Sequence, residues 1–222
     1  MFVGELLTAE VPQLADPDGD VEIVAIARRP GVLSKVAIRA RGTVAPISVG
    51  IGADHLARVS LRLEGERIQV VRWQRSASAY IADALGLGEV PPMLMLPWLQ
   101  HAQVLLGEID LRGIAGWRGL NAILASALTG WRIRLEPVSG TQAWAGLQSA
   151  MRARRTVFAS VVGRSARGYR LEVRGLYSTL TSARREMSAG EEVEVRITRM
   201  DPDEGRIFVS DRPLTTLQPL LL

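Results

Sequence analysis

Cysteine is absent from this 222-residue chain, and His55 and His101 are its only histidines. Disulfides and thiolate metal sites are therefore excluded, and imidazole chemistry has two candidates at most. The lack of cysteine also fits a reducing compartment. No basic-plus-apolar signal pattern opens the chain, and no uninterrupted apolar run is long enough to cross a bilayer. A cytoplasmic protein without a membrane partner is the expectation. Lysine is nearly missing too. Lys35 stands alone, so the other basic residues are arginines. That bias fits contacts to a polyanion and fits a GC-rich genome equally well. No spacing suggests a nucleophile–base pair or a phosphate-binding P-loop. No catalytic residue, cofactor, metal or small-molecule substrate is expected, and an enzyme is the least favoured class.

What is present argues for packed structure. Hydrophobic residues make up 47% of the chain and charged residues only 23%, the balance of folded domains rather than disorder. The length holds one large domain or two to three small ones. A net charge of +4 and a pI near 10.2 suit a polyanionic partner, although +4 is modest for this length.

The most informative stretch begins at Gly116-Trp117-Arg118-Gly119 and runs to Glu136. Apolar residues at Leu120, Ile123, Leu124, Ala127 and Leu128 share one helical face, and Thr129-Gly130 supplies a helix stop. Trp131, Ile133 and Leu135 alternate with Arg132, Arg134 and Glu136, the pattern of a half-buried strand. A tight glycine loop, a helix, a turn and a strand make the shape of a KH nucleic-acid-binding core. In such a core the G-x-x-G loop clamps a backbone of about four nucleotides. Arg118 offers a permanent charge for phosphate oxygens. Trp117 is open to two roles, stacking on a base or packing on a neighbouring domain. From Gly116 to Ile133, with Asn121, Ala125 and Leu128-Thr129-Gly130-Trp131 in place, the run resembles the second KH domain of the NusA family of transcription elongation and termination factors. The resemblance implies an RNA-binding set of Gly116, Trp117, Arg118, Gly119, Asn121 and Arg132.

An earlier stretch repeats the logic. Phe2–Leu14 is expected to begin as a helix ended by Pro12, before the turn-rich Asp16–Asp20. Val21–Arg29 and Lys35–Arg41 read as strands joined at Pro30-Gly31, with Lys35, Arg39 and Arg41 on one face. That places a basic outer face on the hairpin. Gly50-Ile51-Gly52-Ala53 takes the loop position, His55–Leu63 a helix ended by Gly65, and Arg67–Trp73 the closing strand. Glu10-Val11-Pro12, Val21–Arg28, Pro30-Gly31, Ser34–Ala37, Gly65–Ile68 and Trp73 resemble the first KH domain of the same family, and Ala79–Leu85 the bridging helix. Gly50, Ile51 and Gly52 are the corresponding RNA-binding candidates. Here Ala53 replaces the last glycine, no charge lies inside, and Asp54 would repel phosphate. Weak or no RNA binding is expected from this loop, with the unit kept for packing against the second.

Met93–Leu99 and Ala102–Leu106 are expected as paired strands with His101 in the loop between them, and Glu108–Ala115 as a short helix. After Ser139-Gly140, Thr141–Arg155 reads as a linker helix with Trp144, Leu147 and Met151 on one face and a basic end. Five strands come next, at Val157–Val162, Tyr169–Arg174, Leu176–Thr181, Glu192–Met200 and Arg206–Ser210, suggesting a small OB-type barrel. Gly190–Val195, Asp201–Ile207 and Ser210 resemble the OB domain repeated in the largest small-subunit ribosomal protein. NusA proteins carry that domain ahead of their KH pair, so here the order is permuted. Its RNA-facing aromatic positions fall near Arg167, Arg170 and Thr181, with Tyr169 and Tyr177 close by in a register the sequence leaves open. Asp201, Asp203 and Glu204 read as a charged hairpin tip rather than a metal site. The apolar tail after Arg212 covers a groove or docks on a partner.

Together these elements make an α+β protein with two tandem type II KH domains followed by a five-stranded OB-type barrel. The first KH domain with its bridging helix spans 1–88 and the second 89–139. A linker helix takes 140–155, the barrel 156–213 and the tail 214–222. The resemblance implies non-catalytic binding of single-stranded RNA in transcription elongation, termination or antitermination, on nascent transcript near RNA polymerase. It leaves no counterpart for the N-terminal domain through which NusA grips polymerase. Two alternatives stay open: an RNA-decay or ribosome-associated factor, and a KH scaffold that binds a protein with little RNA contact.

Overall fold

The computed structural model describes residues 3–15, 21–40 and 51–212, without the side chains of Pro12 and Gln13. The turn at 16–20, Arg41, Gly50 of the first loop and the tail from 213 onward lie outside the described residues. The chain forms two compact units, residues 1–104 with 112–135 and residues 105–111 with 136–222.

In the first unit, β1 (Val21–Arg29) and β2 (Leu33–Ala40) form the expected hairpin, with a bulge between Ile23 and Ala25. β3 (Arg67–Arg72) lies parallel to β2, giving the order β1-β2-β3. β2 is therefore central, and six consecutive residues from Leu33 to Ile38 are buried. A strand buried on both faces needs a cover on each. One cover is α1 (Val3–Glu10) and α3 (Ala53–Arg62), which close Val3, Leu6, Leu7 and Val59 over Val36 and Ile38. Between α1 and the sheet runs a single turn, α2 (Pro12–Ala15). The other cover is α4 (Ala77–Leu85) with α6 (Leu120–Thr129), which meet β3 and the β1–β2 pair respectively.

The second cover overturns the basic hairpin face expected from alternation. Lys35 is fully buried, and its Nζ donates to Gln69 Oε1 and to the Ala84 carbonyl, both at 2.6 Å. Ala84 lies in the last turn of α4, where carbonyls lack helical partners and attract a cation. Burial, with Arg67 nearby, lowers the Lys35 pKa to about 8. Arg39 is not free on that face either: it pairs with Glu22 and stacks over Trp73 at 5.0 Å.

A second buried charge ties the hairpin to β3. Glu66 is fully buried and takes a two-pronged contact from Arg28, a hydrogen bond from the Ser34 hydroxyl at 2.5 Å and one from the Gly31 N–H at 2.8 Å. Burial alone would raise its pKa. The guanidinium, hydroxyl and amide outweigh that and hold it below the usual carboxylate range.

A second sheet has the same order, β4-β5-β6, from β4 (Met93–Leu96), β5 (His101–Leu106) and β6 (Arg132–Pro137). β4 stops at Leu96 because Pro97 cannot donate to a ladder, and Pro97–Leu99 becomes a 3-10 turn. His101 is not in that loop but opens β5 opposite Leu96. Glu108–Ala115 is helical as expected and is α5. The buried stripe of α6 differs from the expected one: Leu124, Ala125 and Leu128 are buried, whereas Ile123 and Ala127 face solvent. The helix packs against α4 and the first sheet, and Tyr80 from α4 donates to the Leu128 carbonyl at 3.2 Å. These neighbours select the stripe one residue round from the one the spacing favours.

In the second unit, β7 (Thr156–Ser165), β8 (Gly168–Val173), β9 (Leu176–Leu180), β10 (Glu192–Asp201) and β11 (Arg206–Ser210) close a five-stranded barrel. The closed order is β7-β8-β9-β11-β10, with β9 and β11 the parallel pair. The helix read as a linker, α7 (Gln142–Arg152), is capped by Thr141 and puts Trp144 and Leu147 into the barrel core. At the β10–β11 hairpin tip, the Pro202 and Asp203 carbonyls accept from the N–H groups of Glu108 and Ile109. A Cβ on Gly107 would lie 2.5 Å from the Glu204 carbonyl carbon, so only glycine fits. Glu204 pairs with Arg206 at 2.6 Å, and no group suited to a metal ion occurs among the described residues.

The two buried charges set two expected outcomes for stability. Replacing Glu66 with alanine strands Ser34, Gly31 and Arg28 and should cost about 2–4 kcal/mol in chemical denaturation. Lys35 titrates near 8 in the folded chain and near 10.5 when unfolded. The unfolded state therefore holds the extra proton between those values, and stability rises with pH across that window. A pH series of unfolding curves should show this rise for the wild type and lose it in Lys35→Met.

Candidate nucleic-acid interface

The loop entering α6 is built from unusual backbone. Gly116 has φ +69° and ψ −178°, Arg118 has φ +52°, and Gly119 has φ +72°. Gly116 is required by its backbone conformation, and a Cβ there would also come 3.2 Å from Asn121 Cβ, which would have to give by a few tenths of an ångström. Around Gly119 the space is open. Arg118 holds a left-handed conformation that a side chain adopts at a cost of order 1–3 kcal/mol. The Gly119 N–H donates to the Gly116 carbonyl at 3.2 Å, which closes the turn.

This turn pushes two side chains outward. Trp117 is 70% exposed, and the Arg118 guanidinium lies over its ring at 4.8 Å. Behind the loop, the Asn121 amide donates to the Ile114 carbonyl at 2.7 Å and the Leu85 carbonyl at 3.0 Å. Asn121 thus fastens the loop to the ends of α5 and α4. α6 follows Gly119 with no side-chain cap; the Leu120 N–H donates to the Trp117 carbonyl, and the positive end of the helix dipole faces the loop. The site has cationic, donor and aromatic character in one exposed turn.

The first loop is built differently. Gly52 precedes α3, and its N–H donates to His55 Nδ1 at 3.3 Å. Asp54 occupies the first turn of α3, where it already answers the helix dipole. Ile51 packs against the first unit's core. Neither residue presents a phosphate contact.

Arg132 is exposed at the start of β6, and its N–H donates to the Gln100 carbonyl at 2.7 Å. The ten residues of α6 separate it from Gly119, about 15 Å along the helix. It is not part of the loop cluster.

The barrel carries a surface of its own. Tyr169 is buried in the core, with its hydroxyl accepting from the Met187 N–H at 3.4 Å. Tyr177, on the opposite register of β9, is half-exposed and has Arg170 over its ring at 3.8 Å. Thr179 on β9 faces Phe208 on β11, and Arg199 lies over Phe208 at 4.4 Å. Two aromatic–guanidinium stacks therefore sit on neighbouring strands. Arg167 is exposed in the β7–β8 turn. Sequence reasoning misses Phe208 and Arg199. The alternation of Arg206, Phe208 and Ser210 against buried Ile207 and Val209 is the signal that could have found the first of them.

No helix among the described residues is long and apolar enough to cross a membrane. Residues 1–73 match the family model of the NusA-like first KH domain. The transcription termination/antitermination protein NusA of Halalkalibacterium halodurans is 33% identical over 140 residues, covering 62% of this chain and 36% of the relative. The protein of the same name from Mycobacterium bovis is 34% identical over 138 residues, 60% of this chain and 39% of its own length. That from Thermus thermophilus is 36% identical over 134 residues, with 59% and 34% covered. The match thus spans between a third and two fifths of these relatives. Over residues 1–73 the chain thus matches a NusA-like first KH domain, and over about three-fifths of its length it is similar to NusA transcription termination/antitermination proteins.

Proposed function

We propose that this protein binds single-stranded RNA without catalysing a reaction, and that it acts on nascent transcript in elongation, termination or antitermination. The observation that carries this is the Gly116–Gly119 turn. Its left-handed residues bring the backbone to the surface, and Arg118, Trp117 and the uncapped start of α6 face outward together. A phosphodiester backbone lying across it meets a guanidinium and a helix dipole of the right sign. The second sheet repeats the strand order of the first, with α6 before its last strand as α3 stands before β3, which supports reading it as a second type II KH domain. In the same reading the barrel is of OB type, with Arg170–Tyr177 and Arg199–Phe208 as its RNA platform and Arg167 at its edge. Arg132 contacts only RNA that runs on along α6. The first loop serves packing rather than RNA, because Ile51 packs on the core and Asp54 puts a negative charge in the first turn of α3. RNA polymerase is the partner the relatives suggest, in the cytoplasm.

The backbone geometry selects the cleaner test. Gly116→Asp strains the fold, but Gly119 has open space, and asparagine tolerates its conformation. Gly119→Asn should keep most of the RNA affinity, whereas Gly119→Asp should lose it at least tenfold, with both unfolding like wild type. Equal affinities of the two variants for a short single-stranded RNA pool would exclude the loop. Binding should also weaken with salt, by a slope of about −0.7 per phosphate contact, and Arg118→Ala should flatten that slope by about one contact. Polymerase pull-down from cell extract should recover the chain; recovery with ribosomal subunits instead would point to a ribosome-associated role.

A further inference from the structure

The two sheets differ in what lies on their outer faces. In the first, the face carrying Lys35 and Ala37 is fully covered by α4 and α6. In the second, β5 buries Ala102 and Val104 and leaves His101 and Gln103 half-exposed on the opposite face. By register that face also carries Leu94 and Leu96 of β4. Leu94 is 55% exposed, and the turn after β4 adds Trp98 at 77% and Leu99 at 65%. Across the same sheet, β6 points Arg132 and Arg134 to solvent and Ile133 and Leu135 inward. The Arg132 N–H bond to Gln100 sets this edge beside the Trp98 turn. The result is an apolar strip flanked by arginines, on a sheet side whose counterpart in the same molecule is roofed by helices.

We propose that this face is the docking site for an amphipathic helix of a protein partner, with leucine-type residues on the strip and acidic residues along one flank. The first sheet sets the precedent, since the corresponding side of an identical strand order takes α4 and α6 as its cover. Helix-in-groove recognition needs apolar anchors at i, i+3, i+4 and i+7 against such a strip. Arg132, exposed on that flank, selects the charge. A second copy of the chain fits poorly, because a two-fold contact brings the same arginines face to face. RNA fits poorly as well. Arg132 offers phosphate donors at the edge of this face, but the side chains of Leu94, Leu96, Pro97 and Leu99 offer none, and a nucleotide on Trp98 would lie among aliphatic groups. This surface is separate from the loop at Gly116–Gly119, which stands at the other end of α6.

The test uses the full chain and a labelled synthetic helix of about 18 residues, roughly five turns, made of leucine at those four spacings and glutamate elsewhere. Its counterpart carries lysine in place of glutamate. Anisotropy titration should show binding of the acidic peptide and at least tenfold weaker binding of the basic one. Combined Trp98→Ser and Leu99→Ser should weaken the acidic peptide at least tenfold, with RNA affinity and the unfolding midpoint unchanged. Arg132→Glu should reverse the preference between the two peptides. Equal binding of both peptides, or an unaffected double variant, would overturn the proposal. Loss of RNA affinity in the double variant would assign the face to RNA. A concentration-dependent dimer in sedimentation, abolished by the same variant, would assign it to a second copy.

Discussion

A single strand, β2, has both of its faces buried, and much of the first unit depends on that. Its even-numbered core residues, Val36 and Ile38, take α1 and α3 as cover. Its other face carries a lysine, which no apolar cover can bury without a partner. The Gln69 side chain and the Ala84 carbonyl of α4 provide one. A cation held by neutral oxygens pins the bridging helix to the sheet, and α4 in turn seats α6 through Tyr80. Glu66 does the corresponding work beside it at the turn of the hairpin, gathering Arg28, Gly31 and Ser34 on one carboxylate. Both charges are costly to bury. Lys35 is offset by two directed hydrogen bonds to neutral oxygens, and Glu66 by its ion pair with Arg28 together with bonds from Ser34 and Gly31.

The two glycine loops differ in what their helix starts are offered. In the first, the protein supplies its own imidazole and carboxylate to α3, and the position between the glycines turns into the core. In the second, α6 starts with no side-chain cap, and three left-handed residues hold the turn open. Stored backbone strain at an uncapped, cationic, solvent-facing turn is a common mark of a ligand site. The difference lies in a handful of residues, and it gives the two helix starts opposite character, one closed by the chain's own side chains and one turned to solvent.

Much of the architecture is legible in sequence because it is local. β1 and β11 have the expected ends, and α5 spans Glu108–Ala115, since Pro30-Gly31, Gly205 and Gly116 mark those boundaries through backbone chemistry. The barrel strands follow from alternation. Misreadings arise where a distant element chooses between faces. Alternation gives Lys35 to solvent because solvent is the ordinary place for lysine, and only α4 makes the other choice possible. The buried stripe of α6 shifts from Ile123 and Ala127 toward Ala125 for the same reason. Trp144 and Leu147 do share one helical face, but the sequence does not say that the barrel core receives them. Tyr169 and Tyr177 show the limit most simply: both neighbour the expected aromatic positions, and strand register buries one and exposes the other.

What the sequence determined by itself is the set of elements, the glycine turns between them and the chemical character of the Gly116–Gly119 loop. Periodicity, caps and obligatory left-handed glycines are properties of neighbouring residues. What the tertiary structure decided is which faces see water. That choice buried the only lysine, engaged Asn121 behind the loop, hid Tyr169 and left Leu94, Trp98 and Leu99 exposed. Exposure depends on which elements pack together, and those contacts join residues far apart in the chain.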